Sequence, residues 1–360
     1  MNASPGSPAA TVDLDDVEGL LAADRNGLLR AASMAGGQVR ATAAALDEGV
    51  LDPLRADQPP RTVIWVAGRG TAETAGTMLA AALGGSVAAP IVVAPDAPPW
   101  IGALDVLVLA GEDSGDPALV SAAATAVRRG SRVVVVAPYE GPLRDATAGR
   151  AVVLAPRLWV PDDFGLSRYL AAGLATLQVV DPALQMDLAA LADELDAEAL
   201  RNSAGRELFT NPAKNLADRM AGRRVLLAGD TAVTLALVRH GAAVLLRVAN
   251  QPVSAVGLSD ALVALRGGMG AEHGDYETAL FHDEEIDGPR PERLRTFVLT
   301  TDADRPVVVA RVAGLDDVGV IGAEDVPDVA APMTGRLEQQ LAMLAVRLEM
   351  TAVYLRLVRG

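Results

Sequence analysis

The 360-residue sequence has no cysteine, three histidines (His240, His273 and His282) and a single lysine, Lys214, among its 31 basic residues. Without thiols there can be no disulfide, no cysteine nucleophile and no Cys-ligated zinc. A Schiff base or a lysine clamp on phosphate would have to use Lys214. Any chemistry therefore rests on carboxylates, three imidazoles, hydroxyls, arginines and backbone amides. Arginine in place of lysine, with abundant alanine, glycine and valine, is what a GC-rich genome encodes. Basic charge is also short overall: 46 acidic residues give a net charge of −15. Such a chain repels nucleic acid and anionic membranes, so neither is expected as a partner.

Long apolar runs are missing too. The stretch near Leu170 to Val180 is shorter than the roughly 20 residues a membrane span needs. Met1 to Thr11 has no basic residue and no apolar core, so it is expected to be a disordered tail rather than a signal peptide. A cytoplasmic location is expected. What remains is 51% hydrophobic and 21% charged, the composition of a globular chain long enough for two domains.

After the tail, Leu20, Leu21, Leu28, Leu29 and Ala32 recur at helical spacing, predicting one or two helices before Val50. Thr62 to Ala67 (TVIWVA) is a continuous apolar run, as in a strand buried on both faces. Gly68-Arg69-Gly70 and an alanine-rich helix from Thr71 to Leu83 follow it. Asp105 to Ala110 repeats the pattern, with a turn over Gly111 to Asp116 and a helix from Pro117 to Arg129. Arg132 to Ala137 and Ala151 to Leu154 read as further strands. An acidic helical bridge spans Asp181 to Asn202, and a helix runs from Phe209 to Met220. The alternation then resumes with a strand at Arg224 to Ala228 and a helix from Thr231 to Arg239. Further strands are predicted at Ala243 to Val248, Tyr276 to Phe281, Leu294 to Thr300 and Pro306 to Val312, with a closing helix from Arg336 to Val358. Strands alternating with helices indicate βαβ units in doubly wound parallel sheets. The expected organisation is a tail over 1–11, an α/β domain over 12–182 and a second over 183–360.

Two turns stand out. Gly68-Arg-Gly-Thr-Ala-Glu73 lies between a strand and a helix, where glycines admit a phosphate to the free N–H groups of the helix start. A dinucleotide fingerprint would want glycine in place of Glu73 and an acid at the end of the next strand, where Asp96 is the one candidate. The second turn, Glu112-Asp-Ser-Gly-Asp116, offers Ser114 and Gly115 to an anion, but three carboxylates surround them. It reads equally as a helix cap, with Asp116 or Ser114 preceding Pro117.

These turns, with Asn211-Pro-Ala-Lys214-Asn-Leu-Ala217 and His282-Asp-Glu-Glu-Ile-Asp-Gly288, resemble the bifunctional phosphoglucose/phosphomannose isomerases, built from two sugar isomerase (SIS) domains. Within that family the chain looks like the divergent actinobacterial TobH-type branch. The resemblance implies two tandem SIS-type doubly wound sheets with flanking helices. It also implies a sugar phosphate or related small-molecule ligand and a homodimer that completes the cleft; no cofactor or metal is expected.

Several of the family's functional positions are changed. Its first loop reads Gly-Met-Gly-Gly-Ser; Gly68 and Gly70 match, while Thr71 replaces a glycine and Ala72 the serine. Its second loop reads Ser-Tyr-Ser-Gly-Asn-Thr; Ser114 and Gly115 match, while Glu112 replaces a serine and Pro117 the threonine. Aligning on Arg239 puts Leu246 at the base glutamate and His240 at a tryptophan. The His-Asn-Glu motif falls on Asp283-Glu284-Glu285, leaving His282 one residue early, and the lysine beyond the Tyr354 to Gly360 segment is expected to be lost.

Aldose–ketose isomerisation needs a carboxylate base and a ring-opening acid–base group. His282, Asp283 and Glu285 form the densest cluster of this kind. They are the candidate catalytic residues, with a metal site or an acidic surface loop as the other readings. Gly68, Arg69, Gly70, Thr71, Ser114, Gly115 and Arg239 are the candidate ligand-binding residues. His240 and His273 are expected at the surface or in loops, and Lys214 as a cap and surface charge. The resulting expectation is a SIS-fold carbohydrate-derivative-binding protein, catalytically degenerate and regulatory. The alternative is an isomerase on glucose 6-phosphate or mannose 6-phosphate with a rearranged acid–base set.

Overall fold

The computed structural model describes residues 12–270, 293–323 and 336–359. Three helices precede the first strand: α1 (Val17–Ala23), α2 (Leu28–Ala32) and α3 (Ala35–Asp47). Three form rather than the one or two expected because Gly27, at φ +65°, starts α2 after a sharp turn.

The apolar run Thr62–Ala67 forms β1, followed by α4 (Thr71–Leu83), β2 (Ile91–Ala94), β3 (Asp105–Ala110), α5 (Pro117–Arg129), β4 (Arg132–Val136), α6 (Gly141–Thr147) and β5 (Ala151–Val153). These five strands make a parallel sheet in the order β2-β1-β3-β4-β5. All six residues of β1 and all six of β3 are buried, as continuous apolar strands covered by helices on both faces must be. Helices α7 (Leu166–Val180), α8 (Leu188–Arg201) and α9 (Pro212–Met220) lead to the second sheet.

That sheet contains β6 (Arg224–Gly229), β7 (Val253–Gly257), β8 (Leu294–Leu299) and β9 (Val318–Ile321), parallel and ordered β7-β6-β8-β9. Its helices are α10 (Ala232–Ala249), α11 (Leu258–Arg266) and α12 (Arg305–Val312), and α13 (Leu337–Arg359) closes the chain. The expected doubly wound α/β architecture is therefore present twice. One apolar core runs from Leu20 through both sheets to Leu357.

Two predicted strands are helical. Ala243 to Val248 is the second half of α10, which continues until Asn250 adopts left-handed backbone (φ 51°). Pro306 to Val312 forms α12, with Pro306 in its first turn, where its missing N–H costs nothing. Short apolar runs do not by themselves distinguish strand from helix. The unpredicted strands β2, β7 and β9 lie at sheet edges and are mostly half-buried, so they lack the continuous apolar run that marks β1. The predicted strand Tyr276 to Phe281 lies outside the described residues.

Among the described helices, α10 alone is long and apolar enough to cross a membrane, and 61% of it is buried inside the protein. It packs between β6 and α13 and against α4, as the core helix of an α/β fold.

Candidate functional site

In each sheet the chain leaves the first strand to one side and the next to the other, so a crevice opens at their carboxyl ends. This topological switch point is where open α/β sheets bind ligands. In the first sheet it lies between β1 and β3, which pair residue for residue from Thr62 with Asp105 to Ala67 with Ala110. The two singled-out turns therefore leave the sheet side by side. Gly68 donates its N–H to the Ala110 carbonyl at 3.0 Å.

The first loop is open. Gly70, at φ +67° and ψ −130°, is the N-cap of α4 and offers no side-chain cap. This conformation is accessible to glycine and costly for residues with a Cβ. The first helical bond is Thr74 N–H to the Gly70 carbonyl at 3.1 Å, so among the described residues the start of α4 is a set of unpaired donors of the kind that attracts anions. Trp65 of β1 anchors that turn by donating from Nε1 to the Ala72 carbonyl at 2.9 Å. Arg69 is exposed and makes no hydrogen bond or ion pair among the described residues. Thr71 is buried, and its hydroxyl donates to Asp162 Oδ1 at 2.8 Å, so it tethers a neighbouring loop.

The second loop is closed by its own carboxylates. Gly115 N–H donates to Asp113 Oδ1 at 2.7 Å and Ala118 N–H to Asp116 Oδ1 at 2.8 Å, so Asp116 is the N-cap of α5. Pro117 removes a further donor. A Cβ at Gly68 would come within 2.9 Å of Asp116 Oδ2, so glycine there lets the two loops meet. Ser114 is half-buried, and its carbonyl accepts from Leu143 N–H at 3.2 Å. Glu112 accepts from the Tyr169 hydroxyl at 2.7 Å and pairs with Arg168. Burial pushes the Tyr169 hydroxyl well above its ordinary pKa, which keeps it a donor.

The second sheet's crevice, between β6 and β8, is locked. Asp230 accepts from the Thr234 hydroxyl at 2.7 Å and from the Thr300 hydroxyl at 2.9 Å. Thr231 and Thr234 form a reciprocal capping box at the start of α10. Arg239 is exposed on α10, in the second half of the chain, and Leu246 is half-exposed further along the same helix.

Two sequence expectations are corrected. His240 is not a surface residue: its Nε2 lies 2.9 Å from Glu349 Oε1 of α13, both side chains being almost fully buried. Burial drives the Glu349 carboxyl above its usual range, with His240 opposing the shift. Lys214 is not a surface charge, and among the described residues its side chain caps no helix. It is fully buried, and its Nζ donates to the Ala204 and Arg206 carbonyls at 2.8 and 2.7 Å. Burial lowers its pKa. Asn211 is the actual cap of α9, accepting from Lys214 N–H at 2.9 Å.

Sequence reading also missed a buried ion cluster. Arg347 of α13 bonds Glu198 of α8 at 2.8 Å and donates to the Gly322 and Ala323 carbonyls just after β9. Burial by itself would raise the Glu198 carboxyl, but Arg347, Arg201 and Asn202 bring it below the ordinary range. These partners lie 149 residues apart in sequence, and no local spacing signals them.

His282, Asp283, Glu285 and His273 lie outside the described residues. Among the described residues, no group of three or more His, Cys, Asp or Glu is arranged to hold a metal.

No protein-family model matches this sequence, and no curated protein matches it either. Solved structures do match in fold. A Clostridium difficile protein assigned as a phosphosugar isomerase superposes with a TM-score of 0.63 at 12% identity, over 92% of this chain and 93% of that one. Tagatose-6-phosphate ketose/aldose isomerase from Escherichia coli gives 0.59 at 16% identity, over 99% and 95%. The C-terminal domain of glucosamine-fructose-6-phosphate aminotransferase from Francisella tularensis gives 0.55 at 10% identity, over 99% and 98%. The fold is that of the SIS-domain phosphosugar isomerases, as the sequence resemblance implied.

Proposed function

We propose that this protein binds a carbohydrate derivative, of sugar-phosphate type or closely related, in the β1/β3 crevice of its first sheet, as a non-catalytic, regulatory member of the SIS fold. The observation that carries this reading is the asymmetry of the two loops. The α4 N-terminus keeps its donors open beside the exposed Arg69, while the second loop spends its donors on Asp113 and Asp116. One anionic or strongly polar end of a ligand can be received at α4. The carboxylates of Asp116 and Asp162 flank Gly68 and Gly70, where they can accept from sugar hydroxyls. The loss of isomerase activity is supported by Leu246, which stands where the resemblance calls for a base glutamate and cannot take a proton. Homodimerisation and a cytoplasmic location belong to the same proposal.

A thermal-shift panel of neutral sugars, amino sugars and sugar phosphates tests the binding. A ligand at 100 times its dissociation constant adds about 2.7 kcal/mol of stability, so a clear rise in melting midpoint is expected for at least one class. Silence across the panel overturns the binding reading and leaves a protein-interaction scaffold. Catalysis is tested by a coupled assay interconverting fructose 6-phosphate with glucose 6-phosphate or mannose 6-phosphate. No turnover is expected; robust turnover abolished by Glu285→Gln would establish the isomerase instead.

A further inference from the structure

Arg168 is the most deeply placed cation beside the first crevice. It starts from α7, its side chain is 9% exposed, and its guanidinium lies over the Tyr169 ring with 4.3 Å to the centroid. One nitrogen, Nη2, is held by Glu112. The other, Nη1, is buried and makes no hydrogen bond among the described residues. Arg168 lines a cavity of about 20 Å³ shared with Gln38, whose Oε1 is likewise unpaired while its Nε2 donates to the Phe164 carbonyl. Glu112, by contrast, sits on the loop side, with 38% of its side chain exposed. The carboxylate therefore stands between solvent and a guanidinium that has spare donor capacity behind it.

The geometry points to Glu112 as a built-in anion that occupies Arg168, so that an anion receptor made by Arg168 and Tyr169 is closed to external phosphate. This makes Glu112 a specificity-determining residue: it removes a second anion site from the crevice and leaves the α4 N-terminus as the place where a ligand's polar end is received. The inference rests on the crevice being the ligand site only for that last consequence. A buried guanidinium needs a counter-charge, and the one it has is supplied by the chain itself. Arg168 can form a second hydrogen bond to a tetrahedral oxyanion through Nη1, and the Tyr169 hydroxyl can donate to the same group. A carboxylate from a five-atom side chain satisfies one face of the fork. A free phosphate, with more oxygens, can satisfy both.

The test uses inorganic phosphate as the probe and the full chain throughout. Glu112→Ser is expected to lower the melting midpoint in phosphate-free buffer, and millimolar phosphate is expected to restore about 2 °C or more of it. Phosphate should bind Glu112→Ser at least tenfold more tightly than the parent protein, and the gain should vanish in Glu112→Ser/Arg168→Met. Glu112→Gln, which keeps an acceptor for Tyr169 while removing the charge, provides the measurement if the serine variant does not fold. It too should gain phosphate affinity. Equal phosphate affinity in the parent and the folded variants overturns the inference, as does a gain that survives loss of Arg168. Because the probe is phosphate and not a sugar, silence of the sugar panel would refute the proposed function without touching this result.

Discussion

The two sheets present the same strand order at their switch points and treat the resulting crevices differently. In the second sheet Asp230 is stapled to Thr234 and Thr300, α10 begins in a closed capping box, and Arg347 grips the carbonyls that follow β9. In the first sheet α4 begins from Gly70 with no side-chain cap, preceded by Arg69, which makes no hydrogen bond or ion pair among the described residues. Topology makes two crevices, and local chemistry decides which one keeps free donors. A helix start whose N–H groups are already paired has little left to offer a ligand. The contrast supports the proposed binding in the first sheet and a tied-down second sheet.

The largest effect expected is from breaking the rigid side. Arg347→Met strips the buried Glu198 of its main partner and removes the Arg347 bonds to the Gly322 and Ala323 carbonyls. Removing one member of a buried pair costs about 3–5 kcal/mol, so denaturant unfolding should show a loss of that size. Glu198→Gln/Arg347→Met removes the stranded charge and should recover part of it. If the single variant is as stable as the parent, the second sheet is not held in the way described.

The regions differ as well in how much of them the sequence reveals. β1, β3 and β4 are legible because strands covered on both faces must be apolar throughout. Gly68 and Gly70 are legible because close approach and left-handed backbone leave a residue-type signature. The Gly68-Arg69-Gly70 sequence reads as a turn that either admits a phosphate or is a plain tight turn, and the structure gives it an uncapped helix start. Asp116 preceding Pro117 reads as a cap, and the bond from Ala118 N–H bears that out.

What could not be read is pairing at a distance. Nothing near Glu112 announces Arg168, which comes 56 residues later, and nothing near His240 announces Glu349, 109 residues on. A polar residue in an apolar helix looks like an exposed one until the element that covers it is known. The strand misreadings at α10 and α12 share that origin: valine-rich runs favour strands locally, and tertiary packing overrode the preference.

A smaller effect is expected at the first crevice itself. At Gly70 a Cβ would meet Asp162 Oδ2 at 3.5 Å, an ordinary contact, so there is room for Gly70→Ala. The backbone conformation is the obstacle, and holding a non-glycine residue there costs about 1–3 kcal/mol. A loss in that range, with a reduced shift from whichever ligand the parent binds, is expected from thermal melts. An unstrained Gly70→Ala protein with full ligand response would show that the α4 entrance is not a fixed cradle.

The smallest expected change in stability is the one that separates binding from folding most cleanly. Arg69 is exposed and makes no bond to any described residue, so Arg69→Ala should alter stability by no more than about 0.5 kcal/mol. Arg69 immediately precedes Gly70, the N-cap of α4, so under the proposed function its guanidinium would add a charge-assisted bond to an anionic ligand received there. Titration of the parent's best ligand against Arg69→Ala should therefore weaken about tenfold while the unliganded melting curve stays in place. Loss of stability without loss of affinity would mean that Arg69 supports the loop and not the ligand. The first crevice would then be as closed as the second, and the contrast between the two sheets would no longer locate a site.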